Sequence, residues 1–200
     1  MAYQVSTRVR NAMLDSIEST TGVSAILKIR TGAQPANPAA ADSGTVVATA
    51  NLPADWRANA AAGVKSLSGT WQDASADATG TAGHFRIYDS GGVNCDQQGS
   101  VGQATIIATS ALTAANGNVL TFTATTGVAV GMNVSGTGIP ANTTVIATTG
   151  TTVTLSNSST SGVASSTSIT FSYDMTVDNA SFVLGQTFNV TAFSLTAPNA

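Results

Sequence analysis

The segment 144–155, TVIATTGTTVTL, decides the fold class of this 200-residue chain. Two short runs rich in Val, Ile and Thr flank Thr149-Gly150, which is the pattern of two strands joined by a tight turn. The segment 119–123, VLTFT, is separated from Ala111–Thr113 by Asn116-Gly117 in the same way. These patterns predict short antiparallel strands with Gly and Asn turns, as in sandwiches and barrels.

Charged residues are scarce and unevenly distributed along the chain. They make up 8% of the residues, whereas an average protein has about a quarter, and residues 97–173 contain no Asp, Glu, Lys, Arg or His. Charge and a similar strand pattern return after this stretch, which favours an insertion. We predict a β-rich base domain formed by 1–103 plus 173–200, and an inserted uncharged Thr/Ser/Gly-rich β module at 104–172. Two consecutive domains are the alternative.

The composition of the predicted module has a physical consequence for its surface. A β surface of hydroxyl and amide side chains stays soluble without charge and makes contacts that depend little on ionic strength. Charged side chains do not protect its strand edges. We therefore expect the edges to be closed by barrel formation or by neighbouring subunits.

A helix is predicted near the N-terminus, where Ser6 or Thr7 can act as the cap and Gly22 can end the helix. The apolar residues that recur every four positions in this segment are Val9, Met13 and Ile17. Such a helix either packs on its own domain or acts as an arm against a neighbouring subunit. The predicted fold is thus mainly β, a sandwich- or barrel-like domain with one N-terminal helix and an inserted small β module.

The chain offers few groups for catalysis. His84 is the only histidine, and no nucleophile elbow, phosphate-binding loop or HExxH helix accompanies it. The segment GHFRIYD alternates strictly, which places Phe85 and Ile87 on one face of a strand. The opposite face then carries His84, Arg86 and Tyr88, and we expect a surface or interface position for His84. No catalytic residue is assigned, and the chain is not predicted to be an enzyme.

Metal and cofactor sites are not predicted either. Cys95 is the single cysteine, which excludes a disulfide within the chain and a Cys-based zinc site. No carboxylate pair has the EF-hand ligand spacing, and Asp before Gly, Ser or Asn is common in turns. The pairs considered are Asp73 with Asp77, Asp89 with Asp96, and Asp174 with Asp178.

Net charge and hydropathy limit the partners and the location. The net charge is −3 without a basic block, so we predict no nucleic-acid binding. No apolar run is long enough to cross a membrane, and residues 1–10 lack the apolar core of a signal peptide. We therefore expect a soluble protein made in the cytoplasm.

Two segments resemble a group of known proteins. Residues 83–90 (GHFRIYDS) and 175–195 (MTVDNASFVLGQTFNVTAFSL) are similar to segments of small virion proteins encoded among the head and tail genes of tailed bacteriophages. In those proteins a short Gly-rich loop joins the two segments, which agrees with an insertion. Residues 131–140 (GMNVSGTGIP), with 143–156, resemble a β module that recurs in phage structural and adhesion proteins.

The resemblance implies a virion component that is made in the host cytoplasm. The first expectation is a capsid decoration, or cement, protein that binds the head shell through the major capsid protein or other virion proteins. It would form a homo-oligomer, and a trimer would suit a threefold site. The alternative is a tail or neck component, such as a tube, terminator or fibre-attachment protein. A carbohydrate-binding adhesin is a third class, and it would need Trp56, Trp71 and Tyr88 on one exposed face.

Interface positions are predicted from the few residues able to pair with acidic groups or to anchor a contact. They are Arg8, Arg10, Trp56, Arg57 and Arg86.

Overall fold

Strands make up 40% of the chain and helix 8%, so the prediction of a mainly β fold with one N-terminal helix is confirmed. The structure is a computed structural model, and it describes residues 4–197. The chain divides into two compact units: unit 1 contains 1–102 together with 175–200, and unit 2 contains 103–174. Each unit has its own hydrophobic core.

Helix α1 spans Thr7–Thr21 and packs on unit 1. Ser6 is the N-cap, because its hydroxyl oxygen accepts a hydrogen bond from the backbone N–H of Val9 at 3.4 Å. The helix ends at Gly22, whose φ of 87° suits a residue without a side chain. No helix in the described residues is long and apolar enough to cross a membrane.

The buried face of α1 differs from its apolar repeat. Leu14 is buried, whereas Val9 and Met13 are exposed. The carboxylates of Asp15 and Glu18 face the rest of unit 1 and bind polar groups there. The periodicity therefore identified the helix, but polar contacts, which it does not report, determine how the helix is oriented.

Unit 1 contains ten strands in its described residues. These are β1 (Ile26–Arg30), β2 (Val46–Asn51), β3 (Val64–Ser66), β4 (Gln72–Asp73), β5 (Gly80–Thr81), β6 (His84–Tyr88), β7 (Cys95–Gly102), β14 (Met175–Val177), β15 (Ser181–Phe182) and β16 (Phe188–Thr196). Eight of them form one sheet in the order β2-β1-β6-β7-β14-β16-β3, with β4 also paired to β16, and β5 pairs with β15. The curled sheets give a half-barrel or sandwich-like form.

The edge strand β2 is covered by a neighbouring loop. The backbone N–H of Thr49 donates to Asp73 Oδ2 at 2.9 Å, and the Thr49 hydroxyl donates to Asp77 Oδ2 at 2.7 Å. The backbone N–H of Asp77 donates to the carbonyl of Val47 at 2.9 Å. Asp73 and Asp77 thus form hydrogen bonds with groups along β2 that could otherwise pair with another chain.

Unit 2 contains six strands. These are β8 (Thr105–Ala108), β9 (Val119–Thr121), β10 (Asn133–Ser135), β11 (Thr143–Thr148), β12 (Thr152–Leu155) and β13 (Ser168–Ser172). They form a sheet in the order β8-β13-β10-β11-β12-β9. The two ends of this order meet, because Thr109 bridges Phe122 and the Ser110 N–H donates to the Thr121 carbonyl at 2.8 Å. The sheet therefore closes on itself.

The two hairpins predicted in unit 2 have different outcomes. β11 and β12 pair antiparallel around the turn at Thr149, as expected. The segment Ala111–Thr113 was expected to pair with the strand after Asn116, but Thr113 bridges Val163 instead. The Thr113 hydroxyl still reaches that strand, because it donates to the Val119 carbonyl at 2.9 Å.

Unit 2 joins unit 1 at two adjacent strands. β7 and β14 pair parallel, with Val101 opposite Met175 and Gly102 opposite Thr176. The chain leaves unit 1 after β7 and returns to it at β14, and these two neighbouring strands are about 5 Å apart. The sheet of unit 1 is continuous across the junction.

This junction predicts that unit 1 folds when residues 103–174 are replaced by a short Gly/Ser linker. Trp56 and Trp71, the only tryptophans of the chain, lie in unit 1 and are buried. The shortened protein should keep the blue-shifted tryptophan emission of the full chain and should unfold cooperatively in urea. Emission at the wavelength of exposed indole would contradict this expectation.

Candidate functional site

A loop of residues 31–45, here called the strap, lies against the polar face of β1, β6 and β7. On this face Arg30 lies opposite His84, and Lys28 lies opposite Arg86. The strap sequence, TGAQPANPAAADSGT, contains no large apolar residue. Hydrogen bonds from the sheet must therefore hold the strap in place.

The hydrogen bonds to the strap come from long side chains of the sheet. Arg30 Nη1 lies 3.1 Å from the Gly44 carbonyl oxygen, and Gln98 Nε2 lies 2.7 Å from that of Pro35. Arg86 also donates to strap carbonyls. All the carbonyls that accept from these three side chains belong to Pro35, Pro38, Ala40, Ser43 and Gly44. The strap is thus attached along most of its length.

Asp42 is the one carboxylate of the strap, and it joins three side chains of the sheet. It pairs with Arg30, its Oδ1 lies 2.7 Å from Arg86 Nη1, and it accepts a hydrogen bond from the Tyr88 hydroxyl at 2.5 Å. Burial alone would raise the pKa of Asp42, but the hydrogen bond from Tyr88 and the neighbouring positive charges outweigh burial and lower it. The carboxylate is therefore ionised at neutral pH.

Tyr88 and Arg86, which both contact Asp42, keep their usual protonation states at neutral pH. Burial, together with the hydrogen bond to Asp42, raises the pKa of Tyr88 to about 12. Burial would lower the pKa of Arg86, but its bond to Cys95 and the neighbouring groups outweigh burial, so the pKa rises. Lys28 Nζ lies 4.9 Å from the centroid of the Tyr88 ring, where the ring face attracts a cation.

His84 is fully buried, so the predicted surface or interface position is wrong. β6 alternates as expected, with Phe85 and Ile87 in the core of unit 1. The opposite face is buried as well because the strap covers it. Gly83 allows the close approach, since a Cβ atom there would lie 2.1 Å from the Gly32 carbonyl oxygen. That same oxygen lies 3.2 Å from His84 Nδ1.

A cleft of about 620 Å³ opens between the strap and the hairpin that joins β6 to β7. It is lined by strap residues 38–42, by Arg86 and Tyr88, and by 92–96. Cys95 Sγ lies 3.0 Å from Arg86 Nε in this cleft. Across residues 4–197, no three His, Cys, Asp or Glu side chains are grouped to hold a metal ion.

A second buried cation attaches α1 to unit 1. Lys65 Nζ lies 2.8 Å from Asp15 Oδ1 and 3.1 Å from Glu18 Oε2. The hydrogen bond from Lys65, followed by the one from the Ala60 backbone, lowers the pKa of Asp15. Glu18 also accepts a hydrogen bond from the backbone N–H of Arg57 at 3.0 Å. The helix is thus held by carboxylates that bind groups of residues 57–65.

The guanidinium group of Arg57 is enclosed by aromatic rings. Its Cζ atom lies 4.2 Å from the ring centroid of Phe193, 5.0 Å from that of Trp56 and 5.8 Å from that of Trp71. Nη2 donates to Gln97 Oε1 at 2.8 Å, while Nε and Nη1 have no hydrogen-bond partner among the described residues. Burial lowers the pKa of Arg57 to about 10, so the group stays charged at neutral pH.

Three of the predicted interface residues are buried inside unit 1. Trp56, Arg57 and Arg86 are 0%, 0% and 1% exposed, so the prediction that they contact a partner is wrong. The reason is that groups of the same chain cover them: aromatic rings enclose Arg57, and the strap with Asp42 covers Arg86. Arg8 is exposed and Arg10 is half-buried, and for these two residues the interface role stays a prediction.

The exposed aromatic face that an adhesin would need is absent at the predicted residues. Trp56 and Trp71 are buried with their ring centroids 5.7 Å apart. Each indole N–H donates to a backbone carbonyl, that of Trp56 to Gly22 and that of Trp71 to Trp56. Tyr88 is 4% exposed. These rings stabilise the chain itself.

Asp42 and Lys65 are the two central residues that sequence reasoning missed. The signal for Asp42 was a lone carboxylate in a loop of Ala and Pro that follows a strand ending in Arg30. For Lys65, the signal was one of only two lysines in the chain, both downstream of a helix carrying Asp15 and Glu18. Neither signal specifies a pairing, because both partners in each pair lie far apart in the sequence.

Substitution of Asp42 by Asn should lower the free energy of unfolding by about 1–2 kcal/mol at pH 7, since the two arginines lose their common anion. The control Asp96→Asn, at an exposed position of the same cleft, should change it by less than about 0.5 kcal/mol. Because folding lowers the pKa of Asp42, the difference between wild type and Asp42→Asn should shrink below about pH 4. Urea unfolding at several pH values measures both effects, and equal losses for the two variants would contradict the role of Asp42.

Substitution of Arg57 by Met should leave the free energy of unfolding within about 1 kcal/mol of wild type, because a well-packed apolar side chain removes a buried, incompletely bonded charge. Arg57→Ala should cost about 3 kcal/mol through the cavity left among the rings. Urea unfolding followed by tryptophan fluorescence compares the two variants. A loss for Met as large as that for Ala would show that the charge itself is required.

The two clusters described above, around Asp42 and Lys65, connect distant segments of unit 1 through buried ion pairs and hydrogen bonds. Comparisons with protein-family models, with curated proteins and with solved structures give no match for this chain. Its function must therefore be inferred from its own residues.

Proposed function

We propose that this chain is a structural protein of a tailed bacteriophage particle, and that it acts as a capsid decoration protein that binds and stabilises the head shell. The supporting observation is where the two phage-like segments lie. GHFRIYDS contains β6, and MTVDNASFVLGQTFNVTAFSL contains β14, β15 and most of β16. β6, β14 and β16 belong to one sheet, and unit 2 interrupts the chain between the two segments without interrupting that sheet.

The distribution of charge supports a protein partner rather than a nucleic acid. Four of the seven Lys and Arg residues are buried: Arg30, Arg57, Lys65 and Arg86. Carboxylates at Asp55, Asp77 and Asp96 are exposed. The described surface therefore lacks the cationic footprint that phosphate binding requires. The proposed partners are the major capsid protein or other virion proteins, and a closed homo-oligomer, a trimer at a threefold site, fits such a shell.

The outward face of α1 is the proposed contact with the shell. Val9 and Met13 are 37% and 56% exposed there, and Arg8, which directly precedes Val9, is exposed as well. The ion pairs of Lys65 fix the opposite side of the helix to unit 1. A helix fixed in this way loses little conformational entropy on binding, and its apolar residues and arginine can pack on an acidic, partly apolar surface.

Cosedimentation with heads assembled without this protein tests the proposal. We expect saturable binding at a fixed ratio to capsid subunits, together with a raised temperature of head disruption. Arg8→Glu and Met13→Glu should each weaken binding at least tenfold. The matched control Ile146→Glu, at an exposed apolar residue of unit 2, should bind like wild type.

The alternative placement in the tail or neck has distinct outcomes in the same experiment. Binding to isolated tails without binding to heads, or assembly of the purified protein into rings or stacked tubes, would overturn the decoration role. If Ile146→Glu weakens binding as much as Met13→Glu does, the proposal of head binding stands, but α1 is rejected as the contact.

A further inference from the structure

The one histidine of the chain occupies a position where only its neutral form is accommodated. The His84 side chain is fully buried, and its Nδ1 atom lies 3.2 Å from the Gly32 carbonyl oxygen of the strap. Its Nε2 atom is buried and has no hydrogen-bond partner among the described residues. The neutral ring can donate from Nδ1 and leave a lone pair on Nε2. A protonated ring would bury an N–H donor without an acceptor.

The charges around His84 also oppose a positive ring. Arg30 lies opposite it on β1, Arg86 lies two residues along β6, and the strap brings Asp42. Burial, and then the positive charges of the two arginines, lower the pKa of His84 more than the Gly32 carbonyl and Asp42 raise it. This polar face also carries Lys28 on β1, Tyr88 on β6, and Cys95, Gln98 and Ser100 on β7.

The strap is suited to detach without unfolding the sheet beneath it. Hydrogen bonds and ion pairs from Arg30, Arg86 and Gln98 hold it, and its own residues are small or polar. The core of unit 1 lies on the other face of β6, where Phe85 and Ile87 pack. Detachment would therefore expose polar groups to water and leave the apolar core in place.

We propose that His84 and the strap form an acid-released latch, in which protonation of the imidazole detaches the strap from the polar face and uncovers Arg86 and Cys95. The open strap lets the imidazolium reach water and gives Nε2 a partner. In the closed form the ring does not reach water and Nε2 has no hydrogen-bond partner. The latch is independent of the head-binding role and would operate in any location where the pH falls.

The direction of the pH dependence follows from linkage. In the open form His84 is solvated and has its ordinary pKa of about 6.5, whereas in the closed form the pKa is lower. The ratio of the closed to the open form is therefore at its maximum above about pH 6.5. Below that pH this ratio falls by up to about tenfold for each pH unit, until the pKa of the closed form is reached.

Cys95 provides a reporter, because it is the only thiol and lines the cleft beside the strap. The full chain is reacted with 4,4′-dithiodipyridine at pH 7.5 and at pH 5, with each rate divided by that of a small free thiol at the same pH. We expect the normalised rate to rise at least fivefold at pH 5 while tryptophan emission stays native. An unchanged normalised rate would overturn the latch.

Two variants distinguish the contribution of His84 to the pH response from that of the nearby carboxylate of Asp42. His84→Gln keeps an amide that can donate to the Gly32 carbonyl but cannot be protonated, so its normalised rate should not depend on pH. Asp42→Asn retains His84 but weakens the closed strap, so its normalised rate at pH 7.5 should exceed that of wild type and should still rise at pH 5. A rise in His84→Gln as large as in wild type would assign the effect to another group and reject the proposal.

A measurement on the wild-type chain does not depend on how the variants fold. NMR signals of the single imidazole give its titration midpoint, and the backbone amides of residues 31–45 report the strap. The proposal requires the strap signals to change with the same midpoint as the imidazole, below pH 6.5. Strap signals that stay unchanged while the ring titrates would overturn it.

Discussion

The pairing of buried cations with the strap is the interaction on which the polar half of unit 1 depends. A guanidinium group removed from water is costly unless hydrogen bonds and an opposite charge replace its hydration. Arg30 and Arg86 obtain both from one loop, through its carbonyl oxygens and through Asp42. The loop has no apolar side chain large enough to pack by itself. The strap therefore depends on the sheet for its position, and the two arginines depend on the closed strap for their counter-ion.

The same principle attaches the N-terminal helix. Amphipathic helices usually pack by an apolar stripe, yet α1 presents Asp15 and Glu18 to unit 1 and leaves Met13 exposed. The ammonium group of Lys65 lies between the two carboxylates and is itself buried. Long-range ion pairs thus decide the orientation of the helix. Val9 and Met13 remain on the surface, and Leu14 is the apolar residue of the helix that is buried.

Local patterns in the sequence were sufficient for the fold class, the helix and several strands, but not for the pairing of Ala111–Thr113. Ser6 and Gly22 marked the ends of the helix, and the alternation in GHFRIYD identified β6 and the two sides of that strand. The patterns could not show that both sides are buried, because the cover over His84 and Arg86 comes from residues 31–45. A polar residue under a distant loop has the same local signature as a polar residue in water. The interface prediction at Arg86 was wrong for this reason, and the one at Arg57 was wrong because the rings of Trp56, Trp71 and Phe193 enclose it.

Unit 2 lacks this dependence on charge, and proton linkage therefore gives it a different response to acid. Tyr173 and Asp174 are its only titratable side chains, both at its C-terminal end. Folding of the rest of unit 2 changes no proton binding, so its stability has almost no slope against pH from strong acid to mild alkali. Unit 1, with its titratable groups at Asp42 and His84, does have such a slope. One chain thus combines an acid-responsive unit with one in which residues 103–172 carry no side chain that acid can protonate.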